Sequence, residues 1–214
     1  MSFDLVIFDC DGVLVDSEPI ANRIFVEHLA RHGIVTTLEE ALRDLAGRSL
    51  PSCVALLERR HGLRLPPDFI ARLQSDTMRA FESELRPVRG VRDALARITL
   101  PTCVASSSAP EKIRLSLRLT GLLPHFDGRL FSASEVARGK PHPDLFLHAA
   151  ARMGHDPARC AVIEDAVPGA EAGNAAAMRV FAYAGAAHAD KVGLAAVGAR
   201  LFFDMDELPA LLVD

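Results

Sequence analysis

Short apolar runs that break off in polar clusters set the strongest limit on what this chain can fold into. Leu5 to Phe8 ends at Asp9-Cys10-Asp11-Gly12, Cys103 to Ala105 ends at Ser106-Ser107-Ser108, and Cys160 to Ile163 ends at Glu164-Asp165. Runs this brief, with β-branched residues and no polar alternation, read as strands buried on both faces. Val180 to Ala184 and Leu201 to Phe203 are further runs of the same kind. Helical stretches stand between them. Pro110 opens one that stops at Gly121. Pro143 opens another, with Phe146, Ala149, Ala150 and Met153 on one face and Gly154 at its end. Strands alternating with helices imply an α/β chain with a parallel sheet covered on both sides. In open sheets of this type ligands sit beyond the carboxyl ends of the strands, so the polar clusters are expected to converge.

From about Ser17 to Arg86 the alternation stops. This stretch holds no convincing buried strand and reads as four helices. They run from Pro19 to His32 (closed by Gly33), around Leu38 to Ala46, from Pro51 to His61, and from Pro66 to Phe81. A block of about seventy residues between the first two strands is too large for a simple crossover. It predicts an inserted all-helical cap over residues 17–86, with residues 1–16 and 87–214 as the α/β core.

Composition narrows the partners. A net charge of −4 argues against a nucleic-acid surface, which normally carries a basic excess. No apolar run approaches the length of a membrane span, and the acidic opening residues lack the basic region of a signal peptide. Cys10, Cys53, Cys103 and Cys160 are scattered and form no CxxC pair, which fits free thiols in a reducing cytosol. The expectation is a cytoplasmic protein, with neither nucleic acid nor membrane as a partner.

Each polar cluster admits more than one reading. Asp9 and Asp11, two residues apart at a strand end, can face one pocket if the chain turns sharply at Gly12. An Asp-rich turn explains the same residues, and an EF-hand loop does so less well because its Gly would lie further from the first acid. Ser106 and the N–H groups beside it suit phosphate oxygens, or cap the helix opening at Pro110. Lys140, held in Gly139-Lys140-Pro141-His142-Pro143, offers a point charge to phosphate or is simply solvated. His142 has no assigned role. Glu164 and Asp165 are hard oxygen ligands suited to magnesium, or a cap for the helix opening near Pro168. The separate structural explanations are independent of one another, whereas the chemical reading is joint: acid pair, hydroxyl, lysine and second acid pair occur in order, three of them directly after strands.

In that order they resemble the haloacid dehalogenase-like superfamily of hydrolases. The matching residues are Asp9 to Glu18, Val104-Ala105-Ser106, Gly139-Lys140-Pro141, and Val162 to Asp165 with Gly169. The resemblance covers almost the whole chain. The cap type and Asp16-Ser17-Glu18-Pro19 are similar to its β-phosphoglucomutase-like branch and, within that, to the bacterial 6-phosphogluconate phosphatase-type and 2-deoxyglucose-6-phosphate phosphatase-type groups. The implied fold is a Rossmann-like doubly wound parallel sheet with an inserted helical cap. The implied activity is Mg2+-dependent phosphoryl transfer through an aspartyl-phosphate on Asp9, with Asp11 as acid and base. Ser106, Lys140 and the N–H groups of Cys10, Asp11 and Ser107 would hold the phosphate. The metal ligands would be the Asp9 and Asp165 carboxylates, the Asp11 carbonyl, and Glu164 through water.

Mutases and phosphatases of this branch share that chemistry and differ in the fate of the phospho-intermediate. The mutases carry a histidine shortly after the first motif, and the aligned position here is Ala21. That departure favours a phosphatase of small sugar or sugar-acid phosphates over a phosphohexomutase. Specificity is expected from the cap: Gly47 and Arg48 lie in a loop resembling the branch's substrate loop, and Glu18 faces a sugar hydroxyl or supports the helix start at Pro19. A solvated Arg48 explains that residue equally well. The branch also implies a monomer.

Overall fold

The computed structural model describes residues 3–37, 39–40, 50–186 and 189–213. The chain divides into two compact units, Met1–Asp16 with Arg86–Asp214, and Ser17–Leu85.

The first unit is built on six strands: β1 (Leu5–Phe8), β2 (Thr102–Ser106), β3 (Leu130–Ser132), β4 (Cys160–Glu164), β5 (Arg179–Tyr183) and β6 (Arg200–Phe202). All neighbouring pairs are parallel, and the spatial order is β3-β2-β1-β4-β5-β6. Every residue of β1, β2 and β4 is buried, as their uninterrupted apolar runs require. β3 is not foreseen from sequence, because Leu130-Phe131 between Arg129 and Ser132 is too short an apolar run to stand out.

Alternation along β1 sorts its side chains between two layers. Leu5 and Ile7 join a core that includes Leu145, Phe146, Ala149, Ala170 and Leu194. These last come from α6 (Asp144–Met153), α7 (Val167–Ala175) and α8 (Lys191–Ala196). On the opposite face Phe8 meets Phe126 edge-on, with ring centroids 5.9 Å apart. The remaining helices of this unit are α4 (Val91–Arg97), α5 (Pro110–Leu119) and α9 (Leu208–Leu211). α5 opens at Pro110 and α6 runs up to Gly154, as the punctuation predicts. The result is the doubly wound α/β arrangement.

The second unit contains α1 (Glu18–Arg31), α2 (Leu50–His61) and α3 (Phe69–Glu84), and no strand among its described residues. α1 and α3 pack together. Arg23 and Glu84 approach to 2.7 Å, His28 Nε2 lies 2.9 Å from Asp76 Oδ2, and the His28 ring meets Phe69 edge-on. Residues 38 and 41–46 of the helix expected from Leu38 to Ala46 lie outside the described residues. No described helix is long and apolar enough to cross a membrane.

Candidate active site

The strand order brings the polar clusters together. The chain winds outward from β1 through β2 to β3, then returns to place β4 on the other side of β1. A crevice opens at such a switch point because the connecting loops leave in opposite directions. Phe8 is level with both Val104 and Ile163, so Asp9 follows β1 beside the carboxyl ends of β2 and β4. The Asp9 N–H donates to the Ile163 carbonyl at 2.9 Å, which fixes the start of the turn.

The turn itself is tight. Leu14 N–H donates to the Cys10 carbonyl at 2.9 Å and Gly12 N–H to the Val15 carbonyl at 2.8 Å. Gly12 adopts φ 78°, and a Cβ there would overlap the Asp165 carboxylate. Glycine is thus required twice at this position, by conformation and by space. A second close approach lies at Gly169, where a Cβ would overlap the Glu164 carboxylate.

Asp9, Glu164 and Asp165 are buried, and each offers an oxygen within 4.8 Å of the others. Lys140 reaches into this group from the loop before α6. Its Nζ donates to Asp9 Oδ1 and Glu164 Oε1, both at 2.6 Å, and lies 4.9 Å from the Phe146 ring centroid. Glu164 Oε2 accepts from the N–H groups of Asp165 (3.0 Å) and Ala166 (3.2 Å). Burial pushes the Asp9 carboxyl up to about 7; Lys140 opposes this, and the charges of Glu164 and Asp11 add to it. Burial works to lower the Lys140 ammonium, but Asp9 and Glu164 outweigh it and hold the ammonium above its usual range. Burial, followed by the charges of Asp11 and Asp9, raises the Cys10 thiol well above its ordinary value. A shift in that direction favours the protonated thiol over the nucleophilic thiolate. Three carboxylates facing one ammonium leave an excess of negative charge, and hard oxygens of this kind suit Mg2+. The residues present fit a divalent cation.

Neither Ser106 nor Asp165 takes a cap position: that of α5 is Ala109 and that of α7 is Ala166, whose own side chains make no capping bond. Ser106 is buried, and its Oγ accepts from Ser108 N–H at 3.1 Å. Ser107, the first residue after β2, is exposed. The Asp11 carboxylate is met by two residues that the sequence does not single out. Ser108 Oγ donates to Asp11 Oδ2 at 2.7 Å, and Lys112 Nζ donates to the same oxygen at 2.8 Å. The available signal was the spacing of Ser108 and Lys112, four apart across the first turn of a helix that starts beside the acid pair. In the helical unit, Glu18 accepts from Asn22 Nδ2 at 3.4 Å, and Ala21 lies in α1. Gly47 and Arg48 lie outside the described residues.

Comparison with known proteins identifies the family. Residues 3–177 match the family model described as haloacid dehalogenase-like hydrolase. The 6-phosphogluconate phosphatase of Escherichia coli is 34% identical over 186 residues, covering 86% of this chain and 84% of that protein. A haloacid dehalogenase-like protein of unknown function from Agrobacterium tumefaciens superposes with TM-score 0.91 at 35% identity, over 99% of this chain and 98% of that one. A haloacid dehalogenase family hydrolase from Deinococcus radiodurans, solved with bound phosphate and sodium, gives TM-score 0.83 at 35% identity, over 98% and 95% of the two chains. With its sequence matched from β1 through α7 and its whole length superposed on relatives, this chain belongs to the haloacid dehalogenase-like hydrolases.

Proposed function

We propose that this hydrolase is a magnesium-dependent phosphatase of small phosphorylated metabolites, sugar or sugar-acid phosphates, acting through an aspartyl-phosphate on Asp9. The observation that carries the reading is the buried Asp9 carboxylate, held at 2.6 Å by Lys140 and gathered with Glu164 and Asp165. The name of the Escherichia coli relative, a 6-phosphogluconate phosphatase, supports the substrate class.

In the first half-reaction an Asp9 oxygen attacks phosphorus and the bond to the leaving oxygen breaks. Asp11 gives that oxygen its proton, so the product leaves as an alcohol. In the second half, water attacks the phosphorus of the acyl phosphate. Asp11 takes the water's proton, inorganic phosphate departs and Asp9 is restored. Phosphoryl transfer of this kind needs positioning and charge neutralisation above all. Lys140 supplies a fixed positive charge beside Asp9, which lets an anionic nucleophile meet an anionic substrate. Ser106 and the N–H groups of Cys10, Asp11 and Ser107 hold the non-reacting oxygens.

Asp9, Asp165 and the Asp11 carbonyl would hold the magnesium ion. Glu164, whose oxygens already accept from Lys140, Asp165 and Ala166, would assist through water. When bound, the ion supplies further neutralisation of the phosphoryl charge. Ala21 supports transfer to water over transfer to a second sugar hydroxyl. Within the helical unit, Glu18, Gly47 and Arg48 are the candidates for substrate choice.

The reading is tested with purified protein and a panel that includes 6-phosphogluconate, hexose phosphates and 4-nitrophenyl phosphate. Phosphate release that needs Mg2+ and stops on chelation is the expected result. Isomerisation of β-glucose 1-phosphate without phosphate release would replace the phosphatase by a mutase.

A further inference from the structure

Asp11 is gripped from one side by a small hydrogen-bonded network. Ser132, the last residue of β3, donates its Oγ to the Ser108 carbonyl at 2.8 Å. Ser108 Oγ donates to Asp11 Oδ2 at 2.7 Å. Lys112, one turn on in α5, donates both to that oxygen at 2.8 Å and to Ser108 Oγ at 3.0 Å. The network joins the ends of β1, β2 and β3, and its two donors to Asp11 come from sequence about a hundred residues away. Lys112 and Asp11 are partly exposed, at 32% and 19% of their side-chain surface. An ion pair in that setting contributes little to stability, so folding alone gives a weak reason to build it.

We infer that Lys112, with Ser108, is a positioning residue for Asp11, fixing the direction of the carboxyl that exchanges the proton in both half-reactions. The inference rests on the reading of Asp11 as donor to the leaving alcohol. Both donors serve the anionic carboxylate and the protonated acid alike, because a protonated carboxyl keeps acceptor capacity. One anchor therefore serves the cycle throughout. Lys140 faces Asp9 and Glu164 instead, so the site uses one lysine for the nucleophile and another for the acid. A donor displaced by an ångström or so loses much of its effect, and proton donation matters most where the leaving group is poor.

The test compares kcat/KM for two aryl phosphates of similar size, 4-nitrophenyl phosphate (a good leaving group) and 4-methylphenyl phosphate (a poor one). This ratio reports the phosphorylation half-reaction. Asp11→Asn is expected to lower kcat/KM for the methylphenyl ester at least about tenfold more than for the nitrophenyl ester. Lys112→Met is expected to show the same bias, with a loss of roughly tenfold to a hundredfold on the poor leaving group. Lys112→Arg, which keeps a donor, should recover part of it. Ser108→Ala should show the bias more weakly, and thermal melts confirm that each variant is folded. Equal losses on both esters for Lys112→Met and Ser108→Ala, with Asp11→Asn still biased, would overturn the inference and leave the acid assignment standing. An unbiased Asp11→Asn would overturn the acid assignment itself.

Discussion

Lys140 Nζ lies 2.6 Å from Asp9 Oδ1, across 131 residues of sequence, and the same nitrogen lies 2.6 Å from Glu164. One ammonium, with its side chain 6% exposed, thus sits between two buried carboxylates. Removing it leaves both acids uncompensated. Lys140→Met is expected to lower turnover on the order of a hundredfold or more. In the presence of a chelator it should also destabilise the protein by about 3 kcal/mol, the usual cost of leaving a buried charge without its partner. Steady-state kinetics and urea denaturation check the two effects, and an unchanged denaturation midpoint would show that the pair carries no structural burden.

Gly169 bears on the same group through Glu164. A Cβ there overlaps the Glu164 carboxylate, so Gly169→Ala must displace that side chain from Lys140 and from the Asp165 and Ala166 N–H groups. Alanine gains up to about 1 kcal/mol of helix propensity, but overpacking costs about 1–3 kcal/mol, so the clash wins. The expected outcome is a lower melting temperature and roughly a hundredfold loss of turnover. A variant as stable and active as the parent would contradict the close approach.

Ser116 offers a contrast outside the site. Its hydroxyl is buried in α5 with no hydrogen-bond partner among the described residues. An unmet buried hydroxyl is a liability, and alanine is the better helix former. Ser116→Ala is expected to raise stability by about 1 kcal/mol with kcat unchanged. Calorimetry decides it, and a clear drop in melting temperature would mean that the hydroxyl has a partner.

Asp4 and Arg159, which lead into β1 and β4, form an exposed pair with Arg159 Nη2 2.7 Å from Asp4 Oδ1. The hydrogen bond from Arg159 holds the Asp4 carboxyl below its usual value. A folded-state value below the unfolded one means that the stabilisation is present above about 3.9, the unfolded value, and is lost as pH falls through the folded value. Asp4→Asn should therefore flatten the loss of stability on the acid side of that range. Parallel acid denaturation curves for the two proteins would remove Asp4 from the account.

Much of the fold is legible in the chain because a doubly wound sheet buries its central strands on both faces. β1, β2 and β4 could be found from short apolar runs alone. Proline and glycine mark the limits of α5 and α6 for local reasons. What escaped the sequence depends on pairing. β3 is three residues long and exists because it pairs with β2, with Ser132 level with Ser106. Ser106, read as a loop residue after a strand, is itself the last residue of β2 for the same reason. At the site, Asp9, Asp11, Lys140, Glu164 and Asp165 stand out because carboxylates and a lysine at strand ends are chemically conspicuous. Ser108 and Lys112 do not, because a serine run and a helical lysine are ordinary until the turn after β1 brings Asp11 to them.

The most direct test of the central claim asks whether Asp9 carries the phosphoryl group. The protein is mixed with Mg2+ and 4-nitrophenyl phosphate, quenched in acid within milliseconds, and reduced with borohydride, which converts an aspartyl-phosphate to homoserine. Peptide mass spectrometry then reads position 9. The expected result is homoserine at position 9 when substrate and Mg2+ are both present, and unmodified aspartate when either is left out. Phosphate release with position 9 unmodified, or with the reduced residue at another aspartate, would contradict the account.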